Sequence, residues 1–134
     1  ILVVPPDARA SLAHRVVVGW NGSVAAARAV AAAMPFLAAA DAVTVLTTRE
    51  GAEPRAAAND LALHLAWHGV GASAQTFETG GLSVGQALLA EAQDLGCDLL
   101  VIGGYGHGRM RELILGGVTR HLLAAAAMPM FVAN

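Results

Sequence analysis

At 134 residues the chain is long enough for one domain with a single buried core, and 56% of it is hydrophobic, much of that alanine. Its formal net charge of −2 offers no bulk attraction to nucleic acid or to an anionic membrane. All eight basic residues are arginine, which excludes Schiff-base chemistry and the lysine-dependent phosphate loop of P-loop NTPases.

No segment reads as a membrane span, and the start carries no basic region followed by an apolar signal core. A single cysteine, Cys97, cannot close an internal disulfide and suits a reducing compartment. A cytoplasmic location is therefore expected.

In chain order the first element is Ile1-Leu2-Val3-Val4, a β-favouring run followed by Pro5-Pro6 and a polar hinge. No helix follows to complete a βαβ unit, and the run resembles the chain's ending, Met130-Phe131-Val132-Ala133. An extra strand over 1–5, paired antiparallel at that edge, is the expectation. The chain thus divides into a leader strand and hinge over 1–14 and a domain over 15–134.

Within the domain, apolar runs at 16–18, 43–46, 72–77, 99–102 and 130–132 alternate with alanine-rich stretches at about 23–39, 55–69, 83–96 and 117–127. Strands separated by helices of this length imply parallel pairing and right-handed crossovers. The runs at 16–18 and 99–102 are apolar at every position, as strands covered on both faces are. Ser23 stands before the first helix, and Ser83 with Gln86 forms a capping box for the third. Gly96 stops that third helix, Pro129 ends the last, and Pro35 should kink or divide the first. The fold class is α/β, an open parallel sheet of five strands with helices on both faces. Ligands of such sheets bind beyond the carboxyl ends of the strands, near the topological switch point.

The stretch 103–120, "GGYGHGRMRELILGGVTR", holds six of the fifteen glycines. Gly103 and Gly106 suit a sharp turn with φ > 0 after strand 99–102. Gly116-Gly117 stands where the last helix begins, and glycine there lets an anion approach the unpaired N–H groups of a helix N-terminus. Plain turns explain the same glycines, and Arg109 spoils the dinucleotide fingerprint at Gly104-Tyr105-Gly106.

Two segments, "VVVGWNGS" at 16–23 and "DLLVIGGYGHGRMRELILGGVTRHLLAAAAMPMFVAN" at the end, resemble the universal stress protein family over about 15–134. The family's nucleotide motif is Gly-x2-Gly-x9-Gly followed by Ser or Thr, and Gly103, Gly106 and Gly116 match its spacing. The resemblance implies a sheet in the order 3-2-1-4-5 and a homodimer formed through the last strand, or tandem domain pairing. In tandem members the first domain ends in a strand like "ILVVP", so the leader would imitate that contact. It also implies an adenine nucleotide, ATP or another, with magnesium accompanying it. Carried over position by position, the nucleotide-binding residues are Asn21, Thr48, Ile102, Gly103, Gly106, Gly116, Gly117 and Val118. Phosphate contacts are open to His107, Arg109, Arg111 and Arg120.

Two positions depart from the family pattern. Gly117 replaces the hydroxyl residue, and Asn21 stands where binding members usually carry Asp. Losing a charge-assisted hydrogen bond of roughly 1.5–3 kcal/mol would weaken binding about ten- to a hundredfold. Bidentate arginine contacts can offset that loss.

Other features have plainer readings beside sharper ones. His64 and His68 lie one helical turn apart without an obvious third ligand, so no metal is expected there. Trp20 and Tyr105 either flank a purine or cover the sheet edge. Cys97 reads as an inert helix-end residue. No nucleophile–base pair or carboxylate dyad is visible, and hydrolysis, if any, would be slow and incidental. A hydrolase reading would have to enlist Asp98 or Glu112. The sequence therefore points to a stress-response module that binds an adenine nucleotide and acts by conformation or dimerisation. The alternative is an interaction domain with a vestigial site.

Overall fold

A computed structural model describes residues 1–8, 12–49, 54–104 and 117–134. The first strand is short, β1 (Leu2–Val3), and is followed by β2 (Arg15–Gly19), α1 (Val24–Ala39) and β3 (Ala42–Thr48). Next come α2 (Pro54–Trp67), β4 (Ala72–Phe77), α3 (Val84–Asp94) and β5 (Leu99–Gly103). The chain closes with α4 (Gly117–Ala125) and β6 (Met130–Ala133).

The strands form one sheet in the order β1-β6-β5-β2-β3-β4. Counted from β2, the five parallel strands stand in the expected order 3-2-1-4-5. Leader strand β1 pairs antiparallel with β6, Leu2 opposite Phe131 and Val3 opposite Met130. Ile1 extends this contact: its amino group donates to the Val132 carbonyl at 2.7 Å, and its carbonyl accepts from the Val132 N–H at 2.8 Å.

Side chains alternate across the pleat, so the unbroken apolar runs of β2 and β5 feed two cores. Val16, Val18, Leu99 and Val101 pack under α1 and α2 with Ala29, Ala33, Leu37 and Leu65. On the opposite face Val17, Leu100 and Ile102 pack under α3 and α4 with Leu88, Ala92 and Leu122.

Helix ends follow the local chemistry. Ser23 caps α1, its hydroxyl accepting from the Ala26 N–H at 3.1 Å. Both halves of the Ser83–Gln86 capping box are formed. Gly96, with φ +68°, closes α3: its N–H reaches the Gln93 carbonyl, and that of Cys97 reaches Ala92. Gly69 closes α2 in the same way, with φ +78°.

Pro35 departs from expectation, because α1 runs through it undivided. The proline removes the N–H that would bond the Ala31 carbonyl, but Ala31 and Pro35 are both exposed. Solvent can satisfy the orphaned carbonyl there, and the buried stripe of α1 is untouched. Among the described residues no helix is long and apolar enough to cross a membrane.

Candidate functional site

The connections out of β2 and β5 leave in opposite directions along the sheet, since β3 and β4 lie to one side and β6 to the other. The crevice at the carboxyl ends of β2 and β5 is therefore the topological switch point, the general ligand position in open α/β sheets.

On the β2 side the turn is built from Trp20, Asn21, Gly22 and Ser23. Trp20 continues the ladder by donating its N–H to the Leu46 carbonyl at 2.8 Å. Gly22 takes φ +72°, which a side chain rarely tolerates. Asn21 is exposed, and its side-chain oxygen accepts from the Ser23 N–H at 3.0 Å. That Asx turn fixes the loop before α1 and occupies one face of the carboxamide. The Trp20 ring packs against the core under α1 and α2, and its buried Nε1 has no partner among the described residues. Trp20 covers the sheet there, while Tyr105 lies outside the described residues.

On the β5 side, Gly103 is glycine for a reason the sequence did not reveal. A Cβ there would collide with the backbone nitrogen of Ala26 and lie 2.7 Å from the Ala25 carbonyl carbon. The first turn of α1 thus rests directly on the end of β5. The positive φ expected at Gly103 is absent, because close approach of a helix backbone, not a sharp turn, requires the missing side chain. Gly104 keeps to the sheet, its N–H donating to the Ala133 carbonyl at 2.6 Å.

Gly19 plays a similar part at the end of β2. A Cβ would stand 3.0 Å from Leu88 Cδ2 and 3.1 Å from Ile102 Cγ2. The Ile102 side chain is consequently buried, only 6% exposed, toward α3 and α4. What Ile102 presents at the crevice is backbone. Thr48 ends β3, half-buried and opposite Phe77 of β4.

Gly117 opens α4, Val118 follows in its first turn, and Arg120 is exposed on the same helix. Gly106, His107, Arg109, Arg111 and Gly116 lie outside the described residues, as does Glu112. Asn21, Ile102 and Gly103 are brought to one crevice, and Thr48 stands one strand away from it. Nothing described joins Arg120 to them.

Asp98, the other carboxylate of the hydrolase reading, sits at the opposite edge. It precedes β5, so about five residues of strand, roughly 16 Å, separate it from Gly103. Its two oxygens accept the backbone N–H groups of His14 at 3.0 Å and Arg15 at 2.8 Å. That is a structural tie between strands, not a base facing a ligand. Its neighbour Cys97 donates to the Leu99 carbonyl at 3.1 Å, and burial pushes its thiol up to about 11. A thiol held protonated is a poor nucleophile.

The universal stress protein family model matches residues 13–134. A universal stress protein of Archaeoglobus fulgidus superposes with a TM-score of 0.75 at 18% identity, covering 90% of this chain and 98% of that one. A longer universal stress protein from the same organism gives 0.73 at 20%, covering 92% of this chain and 44% of the other. A third, a universal stress protein described as in complex with cAMP, gives 0.71 at 21%, covering 90% and 96%. At these identities the likeness speaks for the fold. No curated protein matches the sequence.

Proposed function

The chain belongs to the universal stress protein family, and on that footing we propose that it is a cytoplasmic stress-response module that binds an adenine nucleotide, ATP foremost, at the crevice between β2 and β5. One observation carries the reading. The Gly103-x2-Gly106-x9-Gly116 frame leaves the sheet at the switch point and returns where α4 starts at Gly117. At the α4 end, Gly116 and Gly117 put no side chain between an anion and the N–H groups of a helix start, which is what a phosphate needs. The cAMP complex of a structural neighbour supports the same ligand class.

In this reading Gly106, Gly116, Gly117 and Val118 hold phosphates through backbone N–H groups. The backbone of Ile102 and Gly103, with Asn21 and Thr48, lines the ribose and base. His107, Arg109, Arg111 and Arg120 supply positive charge to the phosphates, and magnesium accompanies a triphosphate. Signalling proceeds by conformation or by pairing of domains, as a homodimer through β6 or with a tandem partner. Hydrolysis is at most slow, since Asp98 is committed to the amino edge.

A second reading, an interaction module with a vestigial site, is favoured by Asn21. Its side-chain oxygen is already spent on Ser23, and Gly117 brings no hydroxyl. Denaturing the purified protein and analysing the supernatant by mass spectrometry, then titrating ATP with magnesium by calorimetry, separates the two. Binding tighter than about 100 µM that improves severalfold in Gly117→Ser supports the nucleotide reading. Absence of bound nucleotide and of heat in both proteins leaves the interaction module.

A further inference from the structure

Of the asparagines in the chain, Asn21, Asn59 and Asn134, only Asn21 is followed by glycine. An asparagine side chain ends in an electrophilic carboxamide carbon, and the backbone nitrogen of the next residue is the nucleophile nearest to it. Glycine at that next position removes the Cβ that otherwise shields the nitrogen. Asn21 and Gly22 lie in the turn between β2 and α1, and both are exposed.

The turn prepares these two groups for each other. The Asn21 side-chain oxygen accepts from the Ser23 N–H at 3.0 Å. A hydrogen bond to the residue two places on folds the carboxamide back over the intervening peptide, whose nitrogen is that of Gly22. The same N–H polarises the side-chain carbonyl and, with the start of α1 just beyond it, stabilises negative charge on that oxygen. The Gly22 N–H itself donates no hydrogen bond among the described residues, so its nitrogen is free to react. A Cβ at Gly22 would meet nothing within 4 Å, which leaves open space for water to enter and ammonia to leave.

We propose that Asn21 is a self-modification site, converting to aspartate or isoaspartate through a cyclic imide with Gly22. The Gly22 nitrogen gives its proton to hydroxide and bonds to Asn21 Cγ. The bond from Cγ to the carboxamide nitrogen breaks, and that nitrogen takes up a proton and leaves as ammonia. Water then opens the five-membered imide at either carbonyl and leaves a carboxylate, with no oxidation or reduction. Asn59 is exposed too, but it lies within α2, where side chains lean toward the helix N-terminus and away from the next nitrogen. The product puts a negative charge on the crevice turn beside the start of α1, and its formation does not rest on the nucleotide reading.

The test is incubation of the full chain in mildly alkaline buffer, folded and, in parallel, unfolded in guanidinium chloride, followed by peptide mapping with mass spectrometry. Conversion at position 21 of the folded chain is expected within about tenfold of the unfolded rate, while Asn59 converts only in the unfolded chain. Electron-transfer fragmentation should find both aspartate and isoaspartate, since the imide opens at either carbonyl. Gly22→Ala fits the open space but strains the turn, where φ is +72°, and should slow conversion about tenfold. Circular dichroism establishes that this variant is folded. A folded rate more than tenfold below the unfolded one would overturn the proposal. So would aspartate without isoaspartate, the outcome of direct hydrolysis, or an unchanged rate in Gly22→Ala.

Discussion

At its amino edge the sheet is tied by hydrogen bonds to a carboxylate and a main-chain carbonyl. Asp98 takes the N–H groups of His14 and Arg15, and the His14 carbonyl takes those of Asp41 and Ala42. At its carboxyl edge the same strands are closed by missing side chains: Gly103 lets α1 settle onto β5, and Gly19 admits Leu88 and Ile102. The first device consumes the polar groups that it uses. The second brings backbone close to backbone and leaves the turn that carries Asn21 at the crevice. The difference teaches why one sheet has an edge suited to ligand and an edge suited to stability.

The sharpest way to break this contrast is at Gly103. Because the obstructing atoms are α1 backbone and cannot swing away, Gly103→Ala should cost about 3 kcal/mol, read from urea unfolding. A neutral substitution would mean that α1 does not rest on β5. At the other edge Asp98→Ala should cost about 2 kcal/mol, because two strand-end N–H groups lose a charged acceptor. Asp98→Asn should recover only part, since its NH₂ would face a donor.

Cys97 sharpens the picture of a closed amino edge. The folded thiol holds its proton to about 11 against an ordinary value of 9.0. Below pH 9 both states are protonated and nothing is lost. Between pH 9 and about 11 the unfolded chain releases the proton more readily, so stability should fall by roughly 2 kcal/mol by pH 11. Cys97→Ala should flatten that decline in a pH series of denaturation midpoints. By contrast the His14–Asp41 pair, at 3.0 Å but well exposed, should matter little. The turn after β2 gives a modest effect: Ser23→Ala should cost about 1 kcal/mol through loss of the α1 cap, by thermal unfolding.

The fold was legible because its cues are local. β-Branched runs, the Ser23 and Ser83 caps, and the Gly96 stop each act within a few residues, and structure follows them closely. The leader's pairing with β6 was legible from the likeness of "ILVV" to "MFVA". What stayed hidden depends on contacts distant in sequence. No local pattern says that Ala25 and Ala26 press on Gly103 or that Asp98 reaches His14. Pro35 misled for a related reason, since its cost depends on whether the deprived carbonyl meets solvent. Of the candidate site, the glycine spacing and the switch-point position were readable. The engagement of Asn21 with Ser23, and the burial of the Ile102 side chain, required the packed structure.

The most direct measurement is an amide chemical-shift titration of the labelled protein with ATP and magnesium. The account predicts saturable shifts in residues 19–23, 48, 102–104 and 117–120, with the amino-edge amides of His14, Arg15 and Cys97 unmoved. Shifts gathered at that amino edge, or no shifts at millimolar nucleotide, would contradict it.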